Sequence, residues 1–248
     1  MSRRSSHTAC VLRNIIALSA LAMLASSPVV AGTPVACIVA DNGAGTADLP
    51  PVGCGYVSLS PMQITDGLAP GTTVRCDARI DSFFDIFYAV GGPLGGGVEQ
   101  FRAPLHLDMT GTGDLAGYSR VDSFFDIFVE VLEAPRCCVD VQSFDTDMFG
   151  LQGQLPPGDP DFDLLRITGG SGFGLPSPGH TTLRSTATGW AVDSFFDITY
   201  RIDFVGAPGG AFAGRSGSTT GTIRMQCGTP GPVATELSTW GGFKALYR

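Results

Sequence analysis

The chain has 248 residues, of which 34 are glycine and 17 are proline, about a fifth of the total. Aspartate outnumbers glutamate by 19 to four, and a single lysine accompanies 14 arginines, a balance that excludes a helical bundle or coiled coil. A hydrophobic content of 44% with 16 phenylalanines excludes a disordered chain, because it can bury a sizeable core. Turn-forming Gly, Pro and Asp separate stretches of Val, Ile, Phe and Thr, so the composition predicts an all-β protein.

The N-terminus has the pattern of a secretory signal peptide. Three arginines at positions 3, 4 and 13 accompany an apolar run over 15–25, and Val29 and Ala31 supply the small residues of a cleavage site. The run is shorter than the ~20 residues needed to span a bilayer, so we expect cleavage after residue 31 and no transmembrane anchor. A lipoprotein attached through Cys37 is the alternative, but Pro34 fits that motif poorly. The sequence therefore predicts a secreted or cell-envelope location.

Removal of residues 1–31 also changes the charge of the protein. The segment holds three arginines and no acidic residue, so the formal net charge moves from −8 to −11. Such a surface repels nucleic acid and anionic lipid. We therefore expect no nucleic-acid partner.

The cysteines of the mature chain predict disulfides. Six remain once Cys10 leaves with the signal peptide, and an even number in an exported protein is typical of disulfide pairing. Six cysteines allow 15 pairings, of which 12 avoid the strained vicinal bond, and the sequence does not separate these. Zinc is not expected, since no CxxC pair occurs and only two histidines remain. The candidates are Cys37, Cys54, Cys76, Cys137, Cys138 and Cys227.

The strongest internal signal is the hexapeptide Asp-Ser-Phe-Phe-Asp-Ile, which occurs three times without a mismatch. Its spacings are 41 and 71 residues, and each copy follows a related strand-like stretch and a Gly- or Pro-rich connection, which predicts three β-hairpin units. Strict alternation predicts strands with the serine, second phenylalanine and isoleucine on one face. A short helix capped by the serine and second aspartate is the disfavoured alternative. The motif residues singled out are Asp81, Phe84, Asp85, Asp122, Phe125, Asp126, Asp193, Phe196 and Asp197.

The strand prediction decides what the repeated aspartates can do. Two aspartates of one copy are four residues apart, which on a strand is about 13 Å. That separation is too long for sharing one metal ion and exceeds the spacing of a glycosidase carboxylate pair. The repeat is therefore predicted to be structural, with aspartates that accept hydrogen bonds from neighbouring strands. Calcium bridging between different copies is the alternative.

A second acidic cluster lies between Asp140 and Asp163. Carboxylates at alternate positions in a turn suit Ca²⁺, but Leu164 stands where an EF-hand loop requires glycine. We expect a solvated acidic loop and no cofactor, with calcium as the alternative. The weak calcium candidates are Asp145, Asp147, Asp159, Asp161 and Asp163.

Catalytic motifs are sparse. Neither a Gly-x-Ser-x-Gly elbow nor a P-loop occurs, and the glycine-rich run 169–174 joins two strand patterns, whereas a dinucleotide fingerprint opens a helix. His106 lies in an alternating strand pattern and His180 follows a Pro-Gly turn. We expect no enzyme, and a secreted hydrolase that uses one of these histidines as a general base with an aspartate is an alternative.

Three segments follow from these patterns: a signal peptide over 1–31, a β domain over 32–228, and a Gly/Pro linker with a C-terminal tail over 229–248. The tail is interpreted either as a terminal helix or as a sorting or attachment signal. Its Trp-Gly-x-x-Lys-x-x-Tyr-Arg ending, which starts at Trp240, resembles tails of exported bacterial proteins.

The triple hexapeptide resembles a pattern of uncharacterised secreted bacterial proteins, over about half of the mature chain. The resemblance implies export and transfers no activity and no site residue. For the fold we predict repeated β-hairpins that form a sandwich or related layered antiparallel sheet, with a pseudo-threefold barrel as the alternative. The expected function is that of an exported non-enzymatic structural or binding protein of the cell surface or extracellular matrix, with a glycan or a surface or matrix protein as partner. A calcium-dependent carbohydrate-binding module is the second hypothesis.

Overall fold

The computed structural model describes residues 37–227, which belong to one compact unit. Its regular elements are antiparallel strands and two 3₁₀ turns at Gly113–Leu115 and Ser171–Phe173, so the all-β prediction is confirmed. The predicted signal peptide and the C-terminal tail lie outside the described residues. The strands are β1 (Cys37–Val39), β2 (Tyr56–Ser58), β3 (Met62–Ile64), β4 (Val74–Ile80), β5 (Phe84–Val90), β6 (Gly97–Gly111), β7 (Ser119–Glu133), β8 (Val141–Gln154), β9 (Phe162–Gly169), β10 (Pro178–Thr186), β11 (Gly189–Gly206) and β12 (Ser216–Cys227).

Hydrogen bonding between the strands closes into a ring. The order β2-β12-β11-β10-β8-β7-β6-β4 returns to β2, because β4 pairs with both β6 and β2. Strand β9 pairs with both β8 and β11, β3 adds to β4, β5 adds to β6, and β1 adds to β11. One antiparallel sheet thus closes on itself, in agreement with the predicted sandwich or barrel-like class.

The core lies inside this ring, and strict alternation along the long strands fills it. In β11 every second side chain from Trp190 to Phe204 is buried, and β6 alternates in the same way. Each fully buried large apolar side chain contributes about 1.5–3 kcal/mol relative to an exposed one. The long strands therefore supply most of the stabilising surface.

The second and third copies of the hexapeptide adopt the predicted strands. In the third copy Ser194 and Phe196 point into the ring, whereas Phe195 points outward. The second copy on β7 follows the same pattern, with Phe125 buried. By alternation Val121 belongs to the same face as Phe125, but it is exposed, because a left-handed φ of 55° at Asp122 and a register shift between β6 and β7 interrupt the alternation there.

The first copy departs from the prediction. Strands β4 and β5 pair with the same edge of β6, so residues 81–83 interrupt what would be one long strand, and Asp85 has a left-handed φ of 51°. The ring of Phe83 packs 5.4 Å from that of Phe101, whereas Phe84 is exposed, which reverses the predicted faces. Among the described strands β5 pairs only with β6, so its alternation is not enforced from a second side.

Residues 40–55, which we call the cap, close one end of the ring. A disulfide between Cys54, near the end of this segment, and Cys37 of β1 ties the segment to the strand that precedes it. Nη1 of Arg136 donates to the carbonyl of Ala47 at 2.8 Å, and the Gln142 side-chain amide makes two further hydrogen bonds to the cap. The cap is thus fixed to strand β8 and to the loop that precedes it.

Candidate functional site

A small cavity lies inside the ring beneath the cap. Its volume is about 20 Å³, enough for one water molecule or one hydroxyl group. Leu49 and Pro50 of the cap cover it, and apolar side chains such as Phe101, Val129 and Phe196 form its walls. The cavity is therefore an apolar space sized for a single polar group.

Two residues that line this cavity each have a buried polar atom with no hydrogen-bond partner among residues 37–227. These atoms are Oε1 of Glu99 and Oγ1 of Thr146, on side chains of residues that are only 3% and 4% exposed. Burial, with the nearby carboxylate of Glu133 as a second cause, raises the pKa of Glu99 well above its usual value. The neutral acid is thus favoured, and it offers an O–H donor as well as an acceptor.

The charge of the neighbouring acid, Glu133, is balanced by Arg136. Nη2 of Arg136 donates to both of its carboxylate oxygens, at 2.8 and 2.7 Å, and the guanidinium lies 4.9 Å from the ring centroid of Phe144. A buried charge with such a partner is satisfied in place. Glu99 is therefore the acid that remains available to a molecule in the cavity.

A larger cleft of about 780 Å³ adjoins the cavity and shares three lining residues with it, Leu49, Pro50 and Glu133. The cleft runs between the cap and the β5–β6 turn, and its walls include the exposed side chains of Ile86 and Tyr88. Its volume lies within the range of about 300–1,000 Å³ that is typical of small-molecule sites. The divergent first copy of the repeat thus lines the cleft.

On the outer face of the ring, the first and second copies meet at His106. Nδ1 of His106 lies 2.6 Å from Oδ1 of Asp122, and Nε2 lies 3.5 Å from Oδ1 of Asp81. Nη2 of Arg79 lies 2.5 Å from the same Asp122 oxygen. The hydrogen bond from His106, supported by that from Arg79, lowers the pKa of Asp122. These contacts fit the predicted structural role of the repeated aspartates.

The third copy is tied to β12 in a similar way. Arg224 donates to both oxygens of Asp197 at 2.7 and 2.6 Å, and its guanidinium lies 4.0 Å from the ring centroid of Phe195. The Arg224 hydrogen bonds lower the pKa of Asp197. Asp126 and Asp85, the corresponding aspartates of the other two copies, are exposed.

The five calcium candidates do not converge. Within residues 37–227, no three carboxylates have oxygens within 4.8 Å of one another. Asp145 pairs with a histidine, Asp147 accepts a hydrogen bond from a serine, Asp159 and Asp161 share one arginine guanidinium, and Asp163 is exposed on β9. The geometry therefore gives the calcium alternative no support.

The prediction of disulfides is confirmed for one pair of the six candidate cysteines, and the other four are free. Only Cys37 and Cys54 are bonded among the described residues, and the sulfur of Cys227 lies within 4.8 Å of both of theirs. Cys227 stays free because the two sulfurs beside it, those of Cys37 and Cys54, are already bonded to each other. Cys76 faces the interior of the ring, where burial raises the pKa of its thiol to about 12. The free thiols of the described chain are Cys76, Cys137, Cys138 and Cys227.

His180 brings together two side chains that the sequence did not connect with it. Nδ1 lies 2.8 Å from Oδ1 of Asp145, and Nε2 lies 2.8 Å from Oγ of Ser143. The register of β8 and β10 places His180 directly opposite Asp145, with Ser143 two residues further on the same outward face. Alternate polar residues on a strand are common, so Ser143 carries no signal of its own.

Glu99 and Thr146 were also missed. The only sign in the sequence is that Glu99 occupies an inward position of an alternating pattern, between Gly97 and Phe101, where an apolar residue is expected.

No family model matches the chain, and comparisons with curated proteins and with solved structures give no match. In residues 37–227 no helix is long and apolar enough to cross a membrane.

Proposed function

We propose that the protein is an exported binding protein that holds a neutral, elongated apolar molecule with one hydroxyl group at the capped end of its ring. The apolar run over 15–25 supports export, and so does the Cys37–Cys54 disulfide, because disulfides persist in oxidising compartments. The observation that carries the binding proposal is that Glu99 and Thr146, which line one apolar cavity, each have a buried polar atom without a hydrogen-bond partner among residues 37–227.

The head group of the ligand follows from the chemistry of the cavity. A buried polar group without a partner costs about 1–3 kcal/mol, and a hydroxyl that donates to one atom and accepts from the other removes that cost. A charged head group is disfavoured because the walls are apolar and the nearest charges, on Glu133 and Arg136, already satisfy each other. A neutral alcohol is thus the best match for Glu99 and Thr146.

The apolar part of the ligand follows from the cleft. A hydroxyl fills the cavity of about 20 Å³, so the attached chain must pass Leu49 and Pro50 into the cleft of about 780 Å³. There it covers Ile86 and Tyr88, whose exposed side chains face solvent in the free protein. Each methylene buried in this way contributes about 0.8 kcal/mol.

Isothermal titration calorimetry with 1-hexanol, 1-octanol and 1-decanol tests the proposal. The affinity should rise about fourfold for each added methylene, the equivalent of its burial free energy. The Glu99→Leu variant removes the head-group partner at similar volume and should lower the affinity for 1-octanol about tenfold. It should also unfold at higher urea, since a buried polar group without a partner is replaced by an apolar one.

The matched control is Glu130→Leu, the same chemical change on the outer face of β7, where Glu130 accepts a hydrogen bond from Gln100. It should leave the alcohol affinity unchanged. Thr146→Val provides a second variant at the cavity and should weaken binding in the same direction as Glu99→Leu. Binding without dependence on chain length, or equal binding by all four proteins, would show that the cavity holds an ordered water only.

A further inference from the structure

A hydroxyl, an imidazole and a carboxylate form a continuous hydrogen-bonded chain on the outer face of β8 and β10. Oγ of Ser143 lies 2.8 Å from Nε2 of His180, and Nδ1 of the same ring lies 2.8 Å from Oδ1 of Asp145. The side chains of His180 and Asp145 are 37% and 83% exposed, and Ser143 is exposed as well. A molecule in solution can therefore reach the serine oxygen directly.

One neutral tautomer of His180 satisfies both partners. In this tautomer Nδ1–H donates to the carboxylate of Asp145, and Nε2 accepts from the hydroxyl of Ser143. This is the order of groups that activates a serine: a nucleophile, a base that takes its proton, and a carboxylate that fixes the orientation of the base. The outer-face site at His180 is separate from the cavity inside the ring, so it is independent of the proposed ligand site.

We propose that Ser143 is a nucleophilic serine that accepts acyl groups from activated esters, with His180 as its general base and Asp145 as the positioning residue. Oγ of Ser143 forms a bond to the ester carbonyl carbon while its proton passes to Nε2 of His180. The bond from that carbon to the leaving oxygen then breaks, and the leaving oxygen takes the proton from Nε2. Water repeats both steps on the acyl-serine and releases the carboxylic acid.

The surroundings of Ser143 define the class of substrate. Oγ1 of Thr182 lies 3.4 Å from Oγ of Ser143, so one neutral hydroxyl is close enough to the serine to serve as a donor during acyl transfer. Efficient acyl-transfer enzymes use two preorganised donors, and loss of one costs about a hundredfold or more in rate. The site also lies on an open strand surface. We therefore expect acylation by aryl esters with good leaving groups, slow deacylation, and no cleavage of amides.

The second histidine of the described chain provides the matched control. His106 also contacts an aspartate, with Nδ1 2.6 Å from Asp122, but its other ring nitrogen faces the carboxylate of Asp81 at 3.5 Å. The two histidines thus share a carboxylate partner on Nδ1 and differ in whether Nε2 meets a hydroxyl. Only the His180 site has the nucleophile.

The experiment treats the protein with p-nitrophenyl acetate and follows both the release of p-nitrophenolate and the mass of the chain. We expect a burst of one equivalent and an acetyl group on the peptide that contains Ser143. Ser143→Ala should abolish the burst, His180→Ala should slow it about a hundredfold, as loss of a general base does, and His106→Ala should leave it unchanged. Because both His180 and Ser143 are on the surface, thermal unfolding should show the Ser143→Ala and His180→Ala variants folded.

Asp145→Asn distinguishes positioning from a merely structural role. Without the carboxylate the ring is no longer held in the tautomer that leaves Nε2 free to accept a proton, so Asp145→Asn should slow the burst about a hundredfold or more, and Asp145→Glu, which keeps a carboxylate, should restore much of it. A burst that persists in Ser143→Ala would mean that His180 itself is acylated, and this would overturn the proposal. An acetyl group on Ser143 at the wild-type rate in His180→Ala, or no acetylation of Ser143 in the wild-type protein, would overturn it as well.

Discussion

The first and third copies of Asp-Ser-Phe-Phe-Asp-Ile have one sequence and two structures. The third copy, residues 193–198, lies inside β11, with β10 on one side and β12 on the other. The first, residues 81–86, spans a break and the start of β5, which pairs only with β6 among the described strands. Neighbours on both sides, rather than the hexapeptide itself, therefore enforce the alternation of faces. The copy without a second neighbour is the one whose side chains line the cleft.

The largest expected difference between the copies is in their core aromatic residues. Phe196→Ala should lower the free energy of unfolding by about 3–5 kcal/mol, because the ring is 6% exposed inside the closed sheet. Phe84→Ala, the same position in the first copy, should lower it by less than about 1 kcal/mol, because the side chain faces outward at 38% exposure. Urea unfolding followed by circular dichroism measures both. Equal losses would contradict the break at residues 81–83.

Replacing the serine of each copy by alanine should change the free energy of unfolding by smaller amounts, which differ between the three copies. Oγ of Ser194 is buried and bonded to the hydroxyls of Tyr56 at 3.0 Å and Thr181 at 2.8 Å, so Ser194→Ala should cost about 1–3 kcal/mol. Ser82→Ala should cost almost nothing, since Ser82 is exposed. Ser123→Ala should be neutral or slightly stabilising, because its buried hydroxyl has no hydrogen-bond partner among residues 37–227. The same urea assay ranks the three variants, and a loss at Ser123 equal to that at Ser194 would contradict the contacts described.

The smallest expected effect on stability comes from the second aspartate of each hexapeptide copy, and it depends on pH. The folded-state pKa of Asp197 lies below its unfolded value because Arg224 binds the carboxylate, so this pair stabilises the fold above about pH 4 and the contribution is lost as the pH falls further. Asp197→Asn should therefore flatten the acid limb of the stability profile by less than about 1 kcal/mol, since the pair is partly solvated.

Asp85→Asn is the control in the first copy, where the carboxylate lies 4.0 Å from Nε of Arg102 at the limit of an ion pair. Thermal unfolding between about pH 2 and pH 6 compares the two variants with the wild-type protein. An identical change of slope in both would contradict the difference between the copies.

Composition and alternation predicted those parts of the fold that depend on local sequence. The turn residues and the period of two in 193–204 gave the β class and the buried face of β11 correctly, because that face depends only on which side meets the core. The same pattern failed at 81–86, since the break there depends on how β4 and β5 share one edge of β6. The residues of the hexapeptide alone do not show which strands pair with which.

The candidate sites were harder to predict for the same reason. Ser143 and His180 are 37 residues apart in the chain, and their contact exists because β8 and β10 become neighbours in the ring. Glu99 and Thr146 line one cavity only because the sheet closes on itself beneath the cap. The sequence shows that Glu99 occupies a position where an apolar residue is expected. It does not show which strands lie beside each polar residue, because that depends on the tertiary structure.

A crystal structure of the protein soaked with 1-decanol would show whether the capped end of the ring binds a hydroxyl-bearing apolar molecule. We expect the alcohol oxygen at about 2.5–3.0 Å from Oε1 of Glu99 and Oγ1 of Thr146. The alkyl chain should pass Leu49 into the cleft beside Tyr88. A water molecule bridging Glu99 and Thr146, with decanol absent or bound elsewhere, would contradict the proposed binding.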